Sequence, residues 1–230
     1  MDRMDVRLRY LPTPDMLVFA PQPGSVCLLA GDPDPRLAAS LQAMGWRVVI
    51  LDLWERGESY PAGINRYRAA DLSDAALGTL VNTISGNEGA ISVFLYIHPV
   101  GLGNGLFPDH DGRLVKGVFF LAKHLKTPLN EAARHGRTVF MTVTRMDGWL
   151  GMGGVGYPAL AGGLNGITKT VNLEWTGVFC RALDLAPTLS PEAANAAILA
   201  ELHDPNRGAV EVGIGAGGRV TLATEQLTPA

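Results

Sequence analysis

Residues 25–52 read SVCLLAGDPDPRLAASLQAMGWRVVILD. Ser25–Ala30 is a short, largely apolar run, the pattern of a strand buried on both faces. Asp34 can cap a helix with Pro35 at its first position. Leu37, Leu41 and Met44 share one face of that helix, and Gly45 stops it. Arg47–Asp52 is a second apolar strand, so the stretch is one β-α-β unit. Such a unit needs a right-handed crossover and a parallel sheet.

The same alternation continues outward. Further strands are expected at Arg66–Leu72, Ile91–Tyr96, Thr138–Thr144 and Cys180–Leu185, with a closing pair at Ala209–Gly213 and Arg219–Ala223. Helices are expected from Ser73 to about Ile84, at Arg113–Ala133, Tyr157–Trp175 and Pro191–Leu202. Strands alternating with helices predict an α/β fold, a doubly wound parallel sheet in a single domain over 25–230. Residues 1–24, with four prolines, read as a leader or linker containing one strand at Val6–Tyr10.

Bulk composition removes several functions. The chain has 230 residues, 47% hydrophobic and 18% charged, with a net charge of −3. That supports a sizeable core and offers no basic face for nucleic acid. No apolar run approaches the ~18–20 residues of a membrane helix. Cys27 and Cys180 lie in apolar runs, which fits a reducing cytoplasm better than a disulfide scaffold. His98, His110, His124, His135 and His203 show no metal-ligand spacing, so no metal is expected. No G-x-S-x-G elbow or P-loop occurs.

The turn after the first strand of the unit is where a dinucleotide's pyrophosphate would sit on a helix N-terminus. Here it holds the single glycine Gly31, followed by Asp32 and Asp34, with Arg36 next along. Two carboxylates ~5 Å apart repel by about 3 kcal/mol at an effective dielectric of 20, which Arg36 can partly offset. Asp52, ending the second strand, stands where an acid grips a ribose 2′-hydroxyl and favours NAD; the alternative is a solvated strand-end carboxylate. Arg56 could instead meet a 2′-phosphate. Asp71 could hold an adenine amino group or support the helix cap at Ser73, the cap being favoured. His98, opening the Gly- and Pro-rich loop to Asp111, completes the cofactor candidates.

At the other end of the site, carbonyl reduction needs a proton donor. A Tyr serves if a Lys lowers its pKa and a hydroxyl orients the substrate. Thr144 precedes Tyr157 by 13 residues across a Gly-rich loop, and Lys116 lies early on the preceding helix. Each also has a plainer reading: packed aromatic, solvated cation and strand former.

These stretches resemble the short-chain dehydrogenase/reductase superfamily, and specifically the ketoreductase domains of polyketide synthases and polyunsaturated-fatty-acid synthases. The likeness is carried by LLAGDPDPRLAASLQAMGWRVVILDL (28–53), LVKGVFFLAKHLK (114–126), FMTVTRMDGWLG (140–151), GLNGITKTVNLEWTGVFCRALDLAP (163–187) and GAVEVGIGAGGRVTL (208–222). It implies a Rossmann-like fold and NADPH, with NADH as the alternative. It implies Tyr157 as proton donor, with Thr144 and Lys116 in the Ser and Lys places. The substrate implied is a β-ketoacyl thioester on acyl carrier protein, with other megasynthase domains as partners and a homodimer as one assembly. Where such ketoreductases carry Asn four residues after the Tyr, this chain has Ala161, with Asn165 one turn on; Arg145 could equally hold the Ser place. Modular ketoreductases pair a catalytic half with a structural half, and this chain has the length of one. Two readings therefore stand: a reductase, and an inert scaffold or docking module of the same fold.

Overall fold

The computed structural model describes residues 4–55, 57–100, 109–154 and 159–226. Strands β1 (Met4–Tyr10), β2 (Ser25–Gly31), β3 (Arg47–Asp52), β4 (Asn65–Arg68), β5 (Ala90–Ile97), β6 (Val139–Thr144), β7 (Phe179–Leu185), β8 (Glu211–Gly215) and β9 (Gly218–Gln226) form one sheet in the order β1-β9-β8-β7-β6-β5-β2-β3-β4. From β8 to β4 all neighbours are parallel; β9 and β1 are antiparallel additions. The doubly wound single domain is as the alternation predicts. The strand order reverses between β2 and β5, which makes the crevice above their carboxyl ends the expected ligand position.

Helices cover both faces, so strand residues are buried alternately up and down. One face sets Val26, Leu28, Phe94, Tyr96 and Phe140 against α2 (Asp74–Glu88), α3 (Asp109–Ala132) and α4 (Gly162–Glu174). The other sets Cys27, Leu29, Ile50, Val93 and Leu183 against α1 (Pro35–Ala43) and α5 (Pro191–His203). Each fully buried Leu, Ile or Phe contributes about 1.5–3 kcal/mol. Phe140 anchors the first face, its ring 5.2 Å from Phe94 and 5.5 Å edge-on from Trp175.

Three elements differ from expectation. β4 begins at Asn65 and stops at Arg68, because the Asp71 carboxylate accepts from the Ser73 amide (2.7 Å) and turns the chain into α2. α3 starts earlier than Arg113, with Asp109 and Asp111 in its first turn, where acids suit the helix dipole. The expected helix from Tyr157 is a 3₁₀ turn (Ala159–Ala161) running into α4; Tyr157 itself lies outside the described residues.

The leader stretch is tied to the domain. β1 pairs along its length with β9, from Met4↔Gln226 to Tyr10↔Val220. Beyond it, Phe19 packs on Trp46 and His203. The amide of Leu17 donates to the His203 carbonyl (3.1 Å). Arg219 of β9 donates to the Pro12 carbonyl (2.9 Å).

Those contacts surround a buried ion lattice. Arg181, in β7 and fully buried, meets Glu201 and Asp204, both at 3.1 Å. Arg219 grips the same two carboxylates, with Nε 2.6 Å from Glu201. Arg137 donates to the carbonyls of Leu202 (3.0 Å) and Asp204 (2.7 Å) and lies 4.2 Å from the Phe179 ring centroid. Arg181 and Arg219 thus each face both carboxylates, as removal from water requires, while Arg137 is held by carbonyl oxygens and an aromatic ring.

Candidate functional site

A cavity of about 490 Å³ opens above the carboxyl ends of β2, β5, β6 and β7. Of the residues singled out by sequence, Asp32, Asp34, Arg36, His98 and Arg145 line it. Leu185, Pro191, Ala194 and Ile198 supply its apolar wall, from β7 and α5. Asp52, Asp71, Thr144 and Lys116 do not line it.

The turn after β2 is built inward. Gly31 has φ +87°, and a Cβ there would collide with the Ile97 carbonyl oxygen, so this glycine serves the approach of β2 to β5. The Asp32 amide donates to that same carbonyl (2.7 Å). Asp34 caps α1: the Arg36 amide donates to its Oδ1 (2.8 Å), and the Arg36 guanidinium holds its Oδ2 (2.9 Å). Arg36 also grips Glu192 at the start of α5. Arg36 thereby keeps the Asp34 carboxyl below the usual carboxylate range.

Asp52 is likewise engaged. It is almost fully buried and takes two donors from Arg66 (3.1 and 2.8 Å). Asp71 is exposed and supports the α2 cap. The position that would bind a pyrophosphate therefore already holds a carboxylate of this chain with its own counter-ion. The residues present do not fit a dinucleotide seated on α1.

The residues expected to carry chemistry are separated by their surroundings. Thr144 is fully buried and donates its hydroxyl to Asp184 Oδ1 (3.1 Å). Lys116 is exposed on α3, its ammonium 5.6 Å from the Phe120 ring centroid. Tyr157 and Arg56 lie outside the described residues. Ala161 is buried, and Asn165 is buried on α4 with its side-chain oxygen unbonded.

Sequence reasoning did not single out two aspartates that lie close in the chain to cavity residues Arg145 and Leu185 and fold the loop after β6. Asp184, at the end of β7, accepts from the amides of Met146 (2.8 Å), Gly148 (2.9 Å) and Leu150 (3.0 Å). Asp147 accepts from Trp149 (2.7 Å), Gly151 (2.9 Å) and Gly153 (2.8 Å). The two acids thus take alternate amides of one tight loop, with Leu150 forced to φ +58°. Burial raises the Asp184 carboxyl to about 6. Burial works the same way on Asp147, but the Gly151, Trp149 and Gly153 amides outweigh it and hold that carboxyl low. The available signal was an Asp before Gly in MDGW, and a lone acid in an otherwise apolar strand.

Two polar groups on the cavity wall are left over. Arg145 is half-buried without an ion pair among the described residues. His98 accepts or shares a hydrogen bond at Nδ1 with the Tyr96 hydroxyl (3.1 Å), and its Nε2 lies 3.7 Å from Asp111. Burial lowers the His98 pKa, which favours the neutral ring. Among the described residues no cluster of three metal-ligating side chains occurs, and no helix is long and apolar enough to cross a membrane.

No protein-family model matches the chain. A polyunsaturated fatty acid synthase subunit from Thraustochytrium sp. is 38% identical over 120 residues, 49% of this chain and 4% of that protein. Among solved structures, A-type ketoreductases from a modular polyketide synthase match with TM-score 0.61 at 20% identity, over 99% of this chain and 43% of theirs. An N-terminal ketoreductase from a macrolactin assembly line gives 0.62 at 11%, over 99% and 45%. An NADH-dependent reductase complexed with NAD gives 0.53 at 17%, over 73% and 80%. The chain thus has the Rossmann-type fold shared by ketoreductase domains and short-chain reductases, and spans under half the length of the ketoreductase chains it matches.

Proposed function

We propose that this chain is the structural half of a ketoreductase unit in a fatty-acid or polyketide-type synthase, a scaffold with the reductase fold rather than the half that transfers hydride. The observation that carries this reading is Asp34. A carboxylate of the chain itself occupies the helix N-terminus that a pyrophosphate would need, locked there by Arg36. A phosphate placed there would meet a fixed negative charge and would have to displace an ion pair. The burial of Thr144 against Asp184 and the exposure of Lys116 away from the cavity agree with it. Its partners would then be the other domains of such a synthase.

The competing reading is NADPH- or NADH-dependent reduction of a β-ketoacyl group on acyl carrier protein, with Tyr157 giving the proton. The cavity at the strand-order reversal, with Arg145 and His98 on its wall, favours it. Titration with NADPH and NADH, followed by nicotinamide fluorescence, separates the two. A scaffold binds neither. Micromolar binding of either cofactor, with β-ketoacyl-dependent oxidation lost in Tyr157→Phe, would overturn the scaffold.

A further inference from the structure

The two edges of the sheet are unlike. β4 is four residues long, NRYR, and both its arginines are engaged, Arg66 with Asp52 and Arg68 with Glu55. A short charged strand is a blunted edge. β1 is seven residues long, and β9 is its only strand neighbour among the described residues. Its outer row of backbone groups pairs with no strand among the described residues. Met4, Val6 and Tyr10 are 54%, 49% and 64% exposed, a stripe of apolar surface at period two.

The chemistry of β1 reads alike in both directions about its centre. Apolar Met4, Val6, Leu8 and Tyr10 alternate with charged Asp5, Arg7 and Arg9. In antiparallel pairing, residues directly opposite one another share a face and interact. We propose that β1 pairs antiparallel with β1 of a second copy of this chain, about a two-fold axis through Arg7, joining two sheets into one. In that register Asp5 stands opposite Arg9 of the second copy, Val6 opposite Leu8 and Met4 opposite Tyr10, each pair occurring twice by symmetry. Arg7 meets its own symmetry mate, and its charge is already met by Glu225 (3.3 Å) and Asp5 (3.8 Å).

Neighbouring registers are worse. Centring on Leu8 sets Arg7 against Arg9. Centring on Val6 leaves Arg9 and Tyr10 without mates inside the strand. Centring on Val6 also opposes Asp5 to Arg7, but only the Arg7-centred register mates every residue of the strand while setting the acid against a base. This inference is independent of whether the cavity binds a cofactor.

Sedimentation equilibrium of the full chain tests it through a charge-reversal cycle. The unaltered chain is expected to be a dimer. Asp5→Arg and Arg9→Asp should each weaken dimerisation by about tenfold or more, since two like-charge contacts are created. The double variant Asp5→Arg/Arg9→Asp should restore it. Asp5→Asn and Arg9→Gln give a milder version of the same cycle if a reversal disturbs folding, which thermal melts would reveal. A chain monomeric at high micromolar concentration, a dimer indifferent to the single reversals, or a double variant no better than either single one would each overturn the proposal.

Discussion

Two clusters of buried carboxylates in this molecule are neutralised in opposite ways. Around β7, β9 and the end of α5, Glu201 and Asp204 face Arg181 and Arg219, acid against base. At the ends of β6 and β7, Asp147 and Asp184 face backbone amides and one threonine hydroxyl, with no cation among the described residues. The first arrangement fastens elements distant in sequence and is sensitive to the loss of any member. The second folds one loop and ties up its backbone amides.

Removing one member of the lattice should have the largest effect. Arg181→Met leaves Glu201 and Asp204 with Arg219 alone and is expected to cost about 3–5 kcal/mol in chemical denaturation. Combining it with Glu201→Gln should recover part of that loss; no recovery would mean that the pair is not coupled. Next comes Asp184→Asn, which turns an amide group toward backbone donors and is expected to cost about 1–3 kcal/mol at neutral pH.

Asp184 also gives the rim a pH signature. Its folded carboxyl titrates near 6 against 3.8 in the unfolded chain, so the folded state binds the proton more tightly. Its stabilising contribution is complete below about 3.8 and is lost as pH rises through 6. Asp147, held low, works in the reverse sense and loses its contribution on acidification. Thermal melts across this range should lose the decline between 3.8 and 6 in Asp184→Asn. An unchanged profile would refute the assignment. The smallest effect is expected for Asp34→Ala, about 1 kcal/mol for a lost N-cap, with Asp34→Asn retaining most of the stability.

Much of the fold was legible because its signals are local. β2, β3, β5 and β6 are largely apolar runs, β7 is one interrupted by Arg181 and Asp184, and Asp34-Pro35 and Ser73 announce their helices within three or four residues. The place of β1 was not legible. Its partner is β9, at the far end of the chain, and nothing in MDVRLRY names that mate. The site was legible in position more than in use. The acidic turn pointed to a difficulty with phosphate, and the Asp34 cap resolves it internally. The exposure of Lys116 follows from its helix, whose inward positions are Leu114, Val118, Leu121 and Leu125. The direction of the Thr144 hydroxyl does not, because Asp184 comes beneath it only once β7 lies beside β6.

The pairing of Met4 with Gln226 has one more consequence. The first and last described strands are neighbours, so a polypeptide entering at one and leaving at the other does so at a single place on the surface. A unit built this way can be spliced into a longer chain as a side lobe without stretching its host. It can also be re-cut, with residues 4 and 226 joined by a short linker and new ends opened in a surface loop, while every rung of the sheet is kept.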